Sequence, residues 1–403
     1  MKHVLELKTP ASWWHDLWRE GLPVGNGYTG ASLYGGAKRE ILQLSRHDFW
    51  YGGQDTPVPD VHEAFERMRR KMDAGDFQSA NWEVVNALKE KGYGSALESH
   101  SPLARLIVQQ EPLCGFDHFS RSLDMRRALA VQRWRDGGVQ MSREVFVSRA
   151  SDEVVYRLCA QADPCDTDRI AYQVSLEAYR NDGEKPKPAM EAIWATAQEQ
   201  AVCESDREGW LYFNASRAKP GQAAQDFGAV ARVCVSEGTV CAVRGRLEIR
   251  GARQVLIAVR LYVDQPRQQA WQALTAQMAG QNASFEARLD QSAALHRALY
   301  ESASFSLDGV CWENANETLT MQAFCEKQSP ELIEKLWHFG RYLFICASAP
   351  GANPFPLYGL WDGCYQPMWC HNMANENLQM IYWHCFTGNL LSCHEAVFQY
   401  MNA

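Results

Sequence analysis

The chain has no C-x-x-C pair, no run near the roughly 20 apolar residues of a membrane span, and no surplus of positive charge. Each absence removes a class of protein. Thirteen cysteines, scattered from Cys114 to Cys393, are an odd number and cannot all pair. They read as small hydrophobes of a reducing compartment. A formal net charge of −8 argues against nucleic acid or a membrane surface as partner. MKHVLELKTP at the start lacks the apolar stretch of a signal peptide, so the expected location is cytoplasmic. The sequons at Asn214, Asn282 and Asn316 then read as chance. Cys364, Cys370, His371, His384, Cys385, Cys393 and His394 crowd the end of the chain, but without the tight pairs of a zinc site. Buried thiols are the simpler reading, and neither metal nor cofactor is expected.

What is present is a change of character along 403 residues, a length that suggests two or three domains. EILQLS (40–45) alternates as a half-buried strand does. VQMSREVFVSR (139–149), EVVYRL (153–158), YQVSLEAY (172–179), GWLYFNAS (209–216) and ARQVLIAVRLYV (252–263) are strand-like and separated by turn residues. They predict a large antiparallel β-sandwich. Within it, residues 60–92 have helical periodicity and end on Gly92, while 181–192 read as a polar loop. Residues 264–303 have the composition of a helical linker.

From 329 the pattern is α. Ser329 suits an N-cap and Pro330 a first helical position. Leu332, Leu336, Phe339, Leu343 and Cys346 then recur at helical spacing, widened by Ile333, Trp337 and Phe344, which predicts a helix buried on much of its circumference. Leu378, Ile381, Tyr382 and Cys385 form another apolar face, and a third helical piece covers about 390–401. Three such helices do not close a core, so the carboxy-terminal domain is expected to be incomplete.

Three stretches invite chemistry. GNGYTG (25–30) spells a dinucleotide fingerprint, but no helix pattern follows it, and a β-hairpin turn is the better reading. GLWDGCYQPMWCH (359–371) sets Trp361, Tyr365 and Trp369 in a loop, either as platforms for a sugar ring or as loop packing. Asp362 there could be an acid, though Asp-Gly is also a common turn. NENLQMIYW (375–383) brackets Glu376 between Asn375 and Asn377. One amide suffices for a helix cap. In an extended loop the two amides would share a side and could grip one water against an electrophile.

The segment from LIEKLWHFGRYLFICAS through PLYGLWDGCYQPMWCHNMANENLQMIYWHCF resembles the start of the catalytic domain of glycoside hydrolase family 95, the inverting α-L-fucosidases and their relatives. LPVGNGYTGASLYGGAKREILQLSRHDFWYGG, AGDFQSA, SRSLDMRRALA and SREVFVS resemble that family's amino-terminal domain. The resemblance implies a large antiparallel β-sandwich over 1–263, a helical linker over 264–310, and the first helices of an incomplete (α/α)6 barrel over 311–403. It implies a glycosidase cleaving a terminal L-fucosyl or similar sugar from an oligosaccharide or glycoside, with the catalytic water held by Asn375 and Asn377. The family's general acid, a Glu further along the barrel, is expected beyond Ala403. Trp361, Trp369, His371 and Glu376 become candidate substrate contacts. Met373 stands where the family usually has His, Glu376 stands between the amides where it usually has Ile, and the family's NYWPAE is IYWHCF here. These departures widen the sugar to relatives such as L-galactose. The alternative is a truncated, inactive relative or a carbohydrate-binding fragment.

Overall fold

The structure, a computed structural model, describes residues 3–402 apart from 13–16, 52–56, 94–97, 162–169, 181–187, 219–222, 326–328, 366, 368, 370, 372 and 373. Alternation of apolar and polar residues gives most strands one face to bury. The early strands are β1 (Val4–Leu7), β2 (Leu22–Gly25), β3 (Thr29–Leu33), β4 (Arg39–Arg46), β5 (Trp50–Tyr51) and β6 (Ser99–His100). There follow β7 (Ala104–Gln110), β8 (Phe116–Asp124), β9 (Leu129–Asp136), β10 (Val139–Val147), β11 (Val154–Gln161) and β12 (Ala171–Ala178). The last are β13 (Val202–Ser205), β14 (Trp210–Arg217), β15 (Gln225–Val235), β16 (Thr239–Val243), β17 (Arg246–Arg250) and β18 (Gln254–Val263).

Among the described residues these form a nine-stranded sheet, β1-β8-β9-β10-β11-β18-β15-β14-β13, a seven-stranded sheet, β16-β17-β12-β7-β4-β3-β2, and the pair β5-β6. The described pairings are antiparallel. Val24, Leu44, Leu106, Val145, Tyr156, Leu176, Phe213 and Ile257 are fully buried in one shared core, each contributing about 1.5–3 kcal/mol of burial. Charge is buried there as well. Arg143 meets Glu40 at 3.3 Å with both side chains inaccessible. Glu40 also accepts from the Tyr34 and Gly35 N–H groups, at 2.9 Å each. These bonds satisfy a pair that would otherwise be costly so far from water.

The helices differ from expectation in three places. The stretch 60–92 is two helices, α1 (His62–Asp73) and α2 (Phe77–Glu90), inserted between the paired strands β5 and β6. Gly75, at φ +80°, breaks them apart. The expected loop 181–192 ends in a helix, α3 (Pro188–Glu199), whose Trp194 stacks on Tyr365 at 4.2 Å. α4 (Arg267–Ala279) and α5 (Phe285–Tyr300) cover the outer face of the larger sheet: Met278 packs with Trp210 and Val230, and Phe285 with Phe146 and Val155.

After α6 (Asn316–Phe324) comes α7 (Pro330–Ala347). Ser329 Oγ accepts from the Glu331 N–H at 3.2 Å, with Pro330 as first helical residue. Its first half reverses the expected burial. Glu331, Glu334, Lys335, His338 and Arg341 are buried, while Ile333 and Leu336 are exposed. The reason is hydrogen bonding. Arg341 donates to the Leu299, Tyr300 and Gly388 carbonyls, and Glu334 accepts from Leu307 N–H and Trp312 Nε1–H. Polar side chains here satisfy the irregular backbone between α5 and α6. α8 (Glu376–Trp383) and α9 (Leu391–Asn402) complete the described helices.

The sandwich and α7 meet closely at the GNGYTG turn, which is the β2–β3 hairpin with Gly25 paired to Gly30. Gly27 N–H donates to the Cys346 carbonyl at 2.9 Å, and a Cβ at Gly25 would stand 2.3 Å from that oxygen. The glycines serve backbone approach to the end of α7.

Candidate active-site cleft

α8 begins with a cap. Asn375 is the N-cap, and its Oδ1 accepts from the Asn377 N–H at 3.1 Å. Asn377 therefore lies in the first helical turn, and the alternation of an extended loop does not apply. Both residues nonetheless line one cleft of about 530 Å3. Its walls also include Trp369, His371, Leu378 and Ile381, the loop residues Asn353, Phe355 and Leu357, Tyr400 of α9, and Trp50 and Glu98 from the sandwich side.

The structure brings some candidates together and separates others. Trp369 is 58% exposed on the cleft wall, with its backbone at φ +62°. His371 lies beside it, ring centres 6.2 Å apart, and pairs through its backbone with Ser99. Trp361 is placed elsewhere. It is 8% exposed, and its Nε1–H donates to the Val24 carbonyl at 2.9 Å. It borders a second cavity of about 640 Å3 between α7 and α8, with Phe355, Leu357 and Ile381 shared by both. Its ring is thus loop packing that ties this segment to β2. Glu376 is exposed on the first turn of α8, outside the cleft walls, where its charge suits the helix N-terminus. Cys370 and Met373 lie outside the described residues. Cys346, Cys385 and Cys393 are buried, and burial pushes the Cys385 thiol up to about 12, which leaves it inert.

Asp362 is neither an exposed acid nor a turn residue facing water. Its Oδ2 lies 2.6 Å from His100 Nδ1, both side chains fully buried. His100 Nε2 lies 2.8 Å from the Arg46 carbonyl. That carbonyl can only accept, so Nε2 carries a proton, and a second proton sits between Nδ1 and Oδ2. The bond clamps the loop after α7 onto β6, beside the cleft.

Residues 5–264 match the description "Glycosyl hydrolase family 65, N-terminal domain", and residues 284–403 match "Glycosyl hydrolase family 95 catalytic domain". The chain is family 95-like, with an amino-terminal domain of the family 65 type. It is 25% identical over 418 aligned residues to "Alpha-L-fucosidase 2" of Arabidopsis thaliana, covering 96% of this chain and 47% of that protein. It is 26% identical over 398 residues to "Probable alpha-fucosidase A" of Aspergillus niger, covering 94% and 47%. The chain spans about half the length of these curated relatives. A solved structure described as a kojibiose phosphorylase from the human microbiome superposes with a TM-score of 0.51 at 12% identity, over 88% of this chain and 45% of that one. That likeness shows the fold.

The resemblance carried by NENLQM draws attention to the helices alone. Trp50, Glu98, Asn353 and Tyr400 are cleft residues that sequence reading missed, because they arrive from separate segments. Trp50 sits in DFWYGG, within the block that carried the amino-terminal resemblance, and that was the available signal. His47 Nδ1 accepts from the Asn353 N–H at 2.9 Å, which fixes the loop from the sandwich side. Burial, and then the negative charge of Glu98, raises the Tyr400 phenol above its ordinary pKa.

Proposed function

We propose that the chain carries the water-holding side of a glycoside hydrolase cleft that takes a terminal L-fucosyl or similar L-sugar. The observation that supports this best is that Asn375 and Asn377, from a motif shared in pattern with family 95, line one open cleft with an exposed indole. One lone pair of Asn375 Oδ1 is used by the cap, which fixes the side chain. The other can accept a proton of a water, and the Asn377 amide can take its second. Two neutral acceptors orient the water's oxygen toward an anomeric carbon, which is catalysis by positioning. An inverting reaction also needs a carboxylic acid on the leaving oxygen, roughly 6.5–9.5 Å from the base side. On this reading the division at 263 and 310 separates sandwich, linker and barrel.

The test is release of phenol from aryl α-L-fucosides and aryl α-L-galactosides. Asn377→Ala should lower kcat far more than it raises KM, because the lost contact is made to the attacking water. Unchanged turnover in that variant would remove the pair from the reaction. The cap bond at Asn375 favours one second reading, a sugar-binding chain without turnover. That reading predicts saturable sugar binding and no phenol release.

A further inference from the structure

The cleft takes its walls from two directions, and one residue behind them is bonded to both. His47 does not line the cleft, and its side chain is 12% exposed. On the sandwich side its carbonyl accepts the Trp50 indole N–H at 2.6 Å. On the side of the loop after α7 its Nδ1 accepts the Asn353 N–H at 2.9 Å. Trp50, Asn353 and the four residues after it all line the cleft, together with Asn375 and Asn377. Tyr28, in the β2–β3 turn, supports the same loop. Its hydroxyl donates to the Pro350 carbonyl, and its ring meets the imidazole edge-on at 5.6 Å. A backbone N–H can only donate, so Nδ1 carries no proton and Nε2 carries one, facing Asp48 Oδ2 at 3.9 Å. Burial, the largest influence, lowers the His47 pKa; Arg46 and His100 act the same way, while Asp48 and Asp152 oppose them. The ring is therefore neutral at pH 7, as the bond to Asn353 requires.

We propose that His47 is a positioning residue of this cleft: the lone pair of its Nδ1 holds the loop 353–357 at a set distance from Trp50, and sugar binding depends on that hold. The proposal rests on the glycoside reading above and extends the machinery of the site from the helices to the amino-terminal domain. The physical reason is preorganisation. A wall already fixed in place spares the ligand the cost of ordering it on binding. The imidazole does this without touching the sugar, because one residue spans the Trp50 side and the Asn353 side.

Calorimetric titration with methyl α-L-fucopyranoside at pH 7 gives the affinity, and hydrogen–deuterium exchange of the peptide containing Asn353 gives the order of the loop. His47→Leu puts a methyl group where Nδ1 stands. It should weaken the sugar about tenfold and speed exchange of the loop. His47→Asn puts its Oδ1, an acceptor, in the same place. It should keep affinity and exchange within about threefold of the native protein, a rescue that a merely space-filling role of the ring would not give. If His47→Leu leaves the affinity unchanged, or if His47→Asn is as impaired as His47→Leu, the proposal is overturned while the cleft stands as a sugar site. A native protein that binds no sugar removes the glycoside reading and the link to sugar with it. The exchange contrast between the two variants then decides by itself whether His47 holds the loop.

Discussion

Asp362→Ala should be among the most damaging single changes in this protein. The Asp362 and His100 side chains are fully buried and 2.6 Å apart, and Nε2 of the imidazole is already committed to the Arg46 carbonyl. Removing the carboxylate takes away the partner of a buried ring nitrogen and leaves a cavity in its place. Breaking a buried pair from one side costs about 3–5 kcal/mol. Asp362→Asn should cost far less, about 1 kcal/mol. Its amide NH2 can donate to an unprotonated Nδ1 while Nε2–H still reaches Arg46, so both ring nitrogens of His100 keep a partner with no net charge. The contrast is the test. Urea unfolding at neutral pH, followed by tryptophan fluorescence, gives both values. If Asn is as harmful as Ala, or if Ala costs under about 1 kcal/mol, the shared proton assigned to this pair is wrong.

Acid should weaken the protein through His296. Burial holds this imidazole down at about 3, with Nε2–H donated to the Met125 carbonyl at 2.9 Å. The unfolded chain therefore takes up the proton first, so the stabilisation is complete above the ordinary value of about 6.5 and is lost as pH falls toward 3. Unfolding midpoints at pH 7, 5 and 4 should fall less steeply in His296→Gln, and parallel slopes would exclude the residue as the cause. The two loop tryptophans should behave in opposite ways. Trp361→Phe removes the indole donor to the Val24 carbonyl and should cost about 0.5–1.5 kcal/mol without changing sugar affinity. Trp369→Ala should melt like the native protein and bind sugar more weakly. A reversed pattern would mean that the cleft has been assigned to the wrong face.

The sandwich was legible because its strands carry the plain two-residue alternation, and because turn residues separate them. Even there, the crossing order of the strands was not, since pairing across more than a hundred residues leaves no local mark. The burial of α7 was misread for a physical reason. Periodicity counts apolar residues, but this face of the helix meets carbonyls and N–H groups at 299–314, which Glu331, Glu334, Lys335, His338 and Arg341 satisfy. The pair Asn375 and Asn377 was visible in the string itself. What could not be seen was that a cap would hold one of them, or that Glu98 and Trp50, some three hundred residues upstream, would form the facing walls.

The insertion of α1 and α2 has an architectural consequence. β5 and β6 are hydrogen-bonded neighbours, so the chain leaves the sandwich and re-enters it one strand-width away. An excursion anchored like that can lengthen, shrink or be exchanged among descendants while the frame beneath keeps its register. Its stem carries Trp50 at one foot and follows Glu98 at the other. Evolutionary tinkering with this appendage would therefore reshape what the neighbouring hollow admits, and would leave the helices that hold the asparagines untouched.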